Sequence, residues 1–237
     1  VLPLFASVGV CACRYGLKGA HMPLSGSRAL APVVVVLAAG RGSRFEGAVH
    51  KLRQSLGDES VLAATLAQVL QSGLPAVVVT TAELVPIVQP LIAARDIVLL
   101  PPIGSATREP LGMGYSIAAG VGARPNASGW LVLPGDMPLV QATTLQAVAR
   151  SLGQHPVVYA QHRGRRGHPV GFAAELYTEL VRLTGDEGAR RLLARYPSQG
   201  LEVDDPGVLV DVDTQADLES AQRQRQTRAA MDSGAPA

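Results

Sequence analysis

A chain of 237 residues can bury roughly 70–75% of its unfolded surface, so an α/β domain of this size needs no disulfide or structural metal. A hydrophobic content of 47% with 17% charged residues excludes a disordered chain. A formal net charge of +2 with interspersed signs argues against a broad nucleic-acid-binding face, and 4% aromatic residues are too few for a platform that stacks single-stranded bases.

Residues 1–31 differ from the rest. Val1–Cys13 is apolar but lacks the basic region and small-residue cleavage site of a secretory signal. Met22-Pro-Leu-Ser-Gly-Ser reads as a natural start, and residues 1–31 are expected to be a disordered leader or extension. Cys11 and Cys13 both lie there, which leaves the folded body without a disulfide or thiolate metal site and fits a cytoplasmic location. No apolar run approaches the ~20 residues of a spanning helix, so no membrane association is expected.

The folded body is expected over 32–224. Val33–Leu37, four valines and a leucine, reads as a strand buried on both faces, as parallel strands are. Ser60–Gln71 has helical spacing and stops before Gly73. Ala76–Thr80 reads as a strand, Glu83–Ala94 as a proline-interrupted helical segment, Ile97–Leu100 as a short strand and Ile103–Leu111 as a polar linker. Gly114–Val121 reads as a helix, Gly129–Leu133 as a buried strand and Gln141–Leu152 as a helix. Alternating strands and helices imply a parallel sheet with right-handed crossovers.

The pattern then changes. Val157–Ala160 and Pro169–Phe172 flank the basic turn Arg163-Gly-Arg-Arg-Gly167 and predict a hairpin or a ribbon over the sheet. Gly188–Tyr196 reads as an arginine-rich helix. Leu201–Val203 and Val208–Val210 read as short strands around the turn Asp204-Asp-Pro-Gly207. Thr214–Gln224 reads as a closing helix with Thr214 as N-cap, and 225–237 as a C-terminal tail.

The first strand runs into a loop with Gly40, Arg41, Gly42, Arg44 and Lys51. Glycines let backbone N–H groups approach an anion, and the basic side chains supply the charge a polyphosphate needs. Lys18 and Lys51 are the only lysines among 21 basic residues, so Lys51 is the single ammonium of the folded body. The loop lacks the third glycine of a dinucleotide fingerprint and the Gly-Lys-Ser/Thr of a Walker loop. Asp136, after the strand at 129–133, belongs at the carboxyl edge of a parallel sheet, where ligands bind. A carboxylate there suits Mg2+ held together with phosphate oxygens; as an alternative, Asp136 caps the turn before Thr143. Asp211 and Asp213 alternate, so they share a face, and Asp213 either joins Asp136 at a metal or caps a helix. Gly112, Met113 and Ser116 at a helix start suit an anion or carbonyl oxygen, although a plain glycine turn has the same composition. His50, His162 and His168 have no zinc spacing, and G-x-S-x-G is absent.

Together these segments resemble the molybdopterin nucleotidyltransferase-like family of NTP transferases, with the molybdenum cofactor cytidylyltransferases nearest. The resemblance covers about 33–220. It is carried by Leu37, Ala38, Ala39, Gly40, Arg44, Phe45, Gly47, Lys51 and Leu52, then by Gly112-Met-Gly-Tyr-Ser116, Gly135-Asp-Met-Pro138, Arg166-Gly-His-Pro-Val170, Gly185-Asp-Glu-Gly-Ala-Arg190 and Asp211-Val-Asp-Thr214. It implies a single Rossmann-like three-layer α/β domain with a mostly parallel mixed sheet, of the nucleotide-diphospho-sugar-transferase type. It also implies Mg2+-dependent transfer of a nucleoside monophosphate to the terminal phosphate of molybdopterin. Arg44, Lys51 and Asp136 are then catalytic. Leu37, Ala38, Ala39, Gly40, Arg41, Gly42, Gly112, Met113 and Ser116 bind the NTP, Arg166 and His168 the pterin phosphate, and Asp136 and Asp213 the metal. Ala39, where guanylyl relatives carry glycine, favours CTP over GTP by about 1–3 kcal/mol at most. Guanylyl transfer, nucleotidyl transfer to another small phosphate, and a non-catalytic protein that hands the cofactor to a molybdoenzyme are the other readings.

Overall fold

The computed structural model describes residues 31–40, 49–101 and 112–232, without the side chains of 229–232. The valine run forms β1 (Val33–Ala38), buried at five of its six positions. Its residues alternate between two cores. Val34, Val36 and Ala38 face one apolar cluster, and Val33 and Val35 face the other. Identical valines serve both faces, so the period of two is invisible in the sequence.

After β1 come the small hairpin β2 (Ser55–Leu56) and β3 (Glu59–Ser60), and then α1 (Val61–Gln71). The Ser60 hydroxyl caps α1 by accepting from Ala63 N–H. β4 (Ala76–Thr80) pairs parallel to β1 and β5 (Ile97–Leu99) parallel to β4. Between them the expected proline-interrupted helix is broken into a 3-10 turn, a single turn α2 (Val85–Val88) and a second 3-10 turn at Ala94–Asp96. Pro86 stands in the first turn of α2, where its missing N–H costs nothing. The linker expected at 103–111 lies outside the described residues.

α3 (Met113–Gly122) crosses the sheet to β6 (Gly129–Pro134), which pairs parallel to β1 on the side opposite β4. α4 (Ala142–Ser151) follows. β7 (Val157–His162) and β8 (Arg165–Ala173) form the expected hairpin, but it lies within the main sheet rather than over it. β8 inserts antiparallel between β6 and β7. α5 (Tyr177–Leu180), α6 (Arg190–Arg195) and β9 (Ser198–Glu202), parallel to β7, complete the order β5-β4-β1-β6-β8-β7-β9.

Two more expectations are corrected. The strand expected at Val208–Val210 is a 3-10 turn, Pro206–Leu209. Asp205 accepts from Gly207 N–H and Pro206 presets the backbone, so the chain turns where its apolar residues suggested extension. The closing helix α7 (Gln215–Asp232) continues well beyond Gln224. Arg225 pairs with Glu59 at 2.7 Å and donates to Leu56 O, which ties this end of the helix to the β2–β3 hairpin. Thr214 caps α7 as expected, with Asp217 bonding back to Thr214 N–H in a reciprocal box.

Helices α1, α4 and α7 thus cover one face of a mostly parallel mixed sheet, and α3, α5 and α6 the other. β1 connects through α1 to β4 on one side, while α3 returns the chain to β6 on the other. The carboxyl ends of β1 and β6 therefore flank a point where strand order reverses, the place where open α/β sheets leave a crevice for ligands. Among the described residues, no helix is long and apolar enough to cross a membrane.

Candidate active site

The crevice is built from three chain segments. Leu37 pairs with Pro134 across β1 and β6, and Gly135 N–H donates to Leu37 O at 2.9 Å. That register sets Asp136 beside the end of β1. Val212 N–H donates to Asp136 O at 2.9 Å, which brings the segment after the Pro206 turn alongside. Asp211 and Asp213 therefore reach the site from a segment outside any strand, which this bond ties to Asp136 just after β6.

Lys51 joins the two acids. Its ammonium lies 2.5 Å from Asp136 Oδ2 and 2.6 Å from Asp213 Oδ1, and the three side chains are only 12–16% exposed. Burial alone would push the Lys51 ammonium down, but the carboxylates of Asp136 and Asp213 outweigh it and hold it above the ordinary lysine value. Lys51 is therefore charged throughout the physiological range. Asp136 Oδ1 is buried and has no hydrogen-bond partner among the described residues. The capping role open to Asp136 belongs instead to Asp205, which accepts from Gln141 N–H and Thr144 Oγ1 at the start of α4. Of the two roles open to Asp213, helix capping is carried by Thr214 and Asp217.

These charges open onto a cavity of about 580 Å³. Its lining combines apolar Ile117, Val132, Phe172 and Val208 with Asp136, Asp211, Asp213 and His168 and with Arg165, Arg166 and Arg190. Burial pushes the His168 imidazole below its ordinary range, against the opposing pull of Asp136 and Asp211, so the ring is neutral near pH 7. Arg166 stacks its guanidinium over Tyr159 at 4.0 Å while still lining the cavity, a contact that orients it without neutralising it. No carboxylate of the described residues pairs with Arg165, Arg166 or Arg190, whereas Arg95, Arg124, Arg191, Arg195, Arg225 and Arg228 all have such a partner.

The other expected residues fall less uniformly. Arg41, Gly42 and Arg44 lie outside the described residues. Ala38 and Ala39 are buried, one in each core, and Leu37 is partly buried, so these three would meet a ligand through backbone rather than side chains. Met113 is half exposed and lines the cavity, whereas Ser116 is buried and does not. Gly112 and Gly114 have a packing reason. A Cβ on Gly112 would lie 2.2 Å from the Gly185 carbonyl carbon, and one on Gly114 2.7 Å from Thr184 O. Gly114 N–H donates to Gly185 O at 2.9 Å. These glycines let the start of α3 press against the 184–186 turn and carry Asp186 and Arg190 to the cavity. Arg165 belongs to the basic ribbon Arg163–Arg166 that the resemblance turns toward the acceptor phosphate, and it lines the cavity. Asp186 and Arg190 had no individual role in the sequence and were signalled only by the Gly185–Arg190 motif that holds them, because the contact joining Gly112 to Gly185 spans more than seventy residues.

Comparison with known proteins agrees with this geometry. A model of the MobA-like NTP transferase domain matches residues 34–200. The bifunctional protein GlmU of Xanthomonas oryzae is 30% identical over 139 residues, 59% of this chain but 29% of GlmU, so the chain spans under a third of that relative. The structure of Rv0371c from Mycobacterium tuberculosis aligns with a TM-score of 0.69 at 27% identity over 82% of this chain and 98% of that one. Rv0371c is also known in complex with manganese, with a TM-score of 0.66, 27% identity and 81% and 98% of the two chains covered. A nucleotidyl transferase from Methanothermobacter aligns with a TM-score of 0.66 at 25% identity, over 82% of this chain and 97% of its own. A family match over most of the chain, a sheet of the same kind, and an ammonium and two carboxylates at its switch point lead to one conclusion: this chain belongs to the MobA-like NTP transferase family.

Proposed function

We propose that this protein transfers a nucleoside monophosphate, CMP from CTP by preference, to the terminal phosphate of molybdopterin and releases pyrophosphate. The observation that carries the reading is the Lys51–Asp136–Asp213 cluster, whose two carboxylates line a cavity together with Arg165, Arg166 and Arg190. An acceptor phosphate oxygen forms a bond to the NTP α-phosphorus while the bond to the bridging oxygen of the β-phosphate breaks, and the electron pair leaves with pyrophosphate. The protein supplies no nucleophile. Its work is to align two anions that repel each other and to neutralise charge that builds in the transition state.

Asp136 and Asp213 fit Mg2+. Two carboxylates of the described residues meet there without a third His, Cys, Asp or Glu completing a cage, which is the half-site that nucleotide phosphates and water complete. The partnerless Asp136 Oδ1 supplies a ready ligand atom. When bound, the metal neutralises phosphate oxygens and polarises the α-phosphorus. The backbone at the end of β1 and the Lys51 ammonium hold the triphosphate, with Arg41, Gly42 and Arg44 as further contacts. Met113, which lines the cavity, is the side chain of this segment that can meet the base, while the buried Ser116 supports the start of the helix behind it. Arg166, with His168 as a neutral hydrogen-bonding group, faces the acceptor phosphate, and a cytoplasmic location suits such a substrate.

Transfer to a sugar phosphate is the second reading, favoured by the similarity to GlmU. The apolar side chains of Ile117, Val132, Phe172 and Leu193 in the cavity lining support a flat heterocycle over a sugar. Pyrophosphate release is the test, with CTP, GTP and UTP supplied in turn beside molybdopterin or a hexose 1-phosphate. The reading expects release with molybdopterin and fastest with CTP. Release only with the hexose phosphate, or with none of them, overturns it.

A further inference from the structure

His50 has no role in the transfer scheme above, yet its ring touches both arms of the nucleotide-facing segment. Leu52 N–H donates to His50 Nδ1 at 3.2 Å. Nδ1 is therefore the bare nitrogen, and Nε2 carries the hydrogen that it donates to Gly40 O at 2.9 Å. One neutral imidazole thus joins the end of β1 to the turn that carries Lys51, ten residues further on.

Each bond has a consequence. A backbone carbonyl beside a polyphosphate presents its negative end to the ligand, and a bond from Nε2–H engages the Gly40 oxygen toward the imidazole instead. The Nδ1 bond caps the 3-10 turn Lys51–Arg53. That turn is closed further by Arg53 N–H to His50 O at 2.8 Å and Gln54 N–H to Lys51 O at 3.2 Å. It sets the stem from which the Lys51 ammonium reaches Asp136 and Asp213. We infer that His50 is a positioning residue for the NTP: it turns the Gly40 carbonyl aside and registers the end of β1 against Lys51.

The inference rests on the nucleotidyl-transfer reading, and two substitutions separate the two bonds. Glutamine can place an amide N–H near Nε2 and keep the bond to Gly40. Asparagine can place an oxygen near Nδ1 and keep the bond from Leu52 N–H, but it is too short for Gly40. Equilibrium binding of Mg2+·CTP without acceptor, measured by calorimetry, is expected to weaken about tenfold in His50→Ala, the scale of one lost hydrogen bond to a ligand-facing segment. His50→Gln is expected to return to within about threefold of the parent and His50→Asn to stay weak, while the KM for the pterin acceptor and the near-ultraviolet circular dichroism of all three remain those of the parent. Wild-type affinity in His50→Ala, equal rescue by Asn and Gln, or loss of folded signal in all three overturns the inference alone. A parent protein that binds no NTP with Mg2+ overturns the transfer reading and the inference with it.

Discussion

Lys51 and Asp136 are 85 residues apart in the chain, yet their charged atoms lie 2.5 Å from each other at the junction of β1 and β6. The ammonium sits between Asp136 and Asp213. On the proposed reading, a divalent cation held by these two acids would compete with the ammonium for the same negative charge.

Lys51→Met tests that competition, since it keeps the length of the side chain and removes the charge. Without nucleotide, the variant is expected to bind Mn2+ more tightly than the parent, by about tenfold or more, in an electron-spin-resonance titration. Nucleotide transfer is expected to fall by about 10²–10³, the usual cost of losing one preorganised charge contact. Unchanged or weaker Mn2+ binding would show that the ammonium does not stand in for the metal.

Asp136→Asn removes the acid that holds the partnerless oxygen and leaves Asp213 to pair with Lys51. Mn2+ binding with CTP present is expected to be lost together with transfer, and the melting temperature to stay close to that of the parent. Retained transfer would remove Asp136 from the chemistry.

His168 gives stability a pH dependence of known sign. Its imidazole is depressed by burial below the ordinary value of ~6.5. In the window between that value and the depressed one, the unfolded chain binds a proton that the folded chain refuses, so stability is full above ~6.5 and declines as pH falls below it. Urea unfolding at pH 7.5, 6.5 and 5.5 is expected to show that decline in the parent and a flatter profile in His168→Gln.

Gly112→Ala is expected to cost about 1–3 kcal/mol in urea unfolding, the range for overpacking, because its Cβ would lie 2.2 Å from backbone of the 184–186 turn. Tyr115→Ala, a partly exposed position on the same helix, is the comparison that should cost less. Acceptor KM is expected to rise in Gly112→Ala, since that turn carries Asp186 and Arg190 to the cavity.

Asp205→Ala withdraws a buried carboxylate from three donors, Gln141 N–H, Thr144 Oγ1 and Gly207 N–H. At least about 3 kcal/mol of stability is expected to be lost, since each bond to a charged acceptor is worth about 1.5–3 kcal/mol and the donors stay buried. Transfer activity below the melting transition is expected to persist, because Asp205 does not reach the cavity.

The parts of the fold legible in the sequence are those where local pattern and tertiary demand coincide. Ala76–Thr80 emerges as a strand at the bounds its composition suggests, and Thr214 caps the closing helix as its position implies. The pattern misled at Val208–Val210, where apolar residues are buried by a turn rather than a strand because Asp205 and Pro206 dictate the backbone. It suggested a hairpin or a ribbon over the sheet but not the hairpin's insertion between β6 and β9, since alternation along β8 reveals a strand but not its neighbours.

For the site the division is similar. A lone lysine after a glycine-rich loop and an aspartate after an apolar strand marked Lys51 and Asp136 by residue type, because polyphosphate and metal chemistry require an ammonium and a carboxylate. That Asp213 faces them, that His50 bonds to Gly40, and that Gly112 seats the turn bringing Arg190 to the cavity depended on contacts between distant segments. Periodicity and composition report what a residue can do within a few turns of its own element. Which two elements meet is decided by the crossover of α3 from β5 to β6, and it is that crossover that opens the crevice where Lys51 meets Asp136.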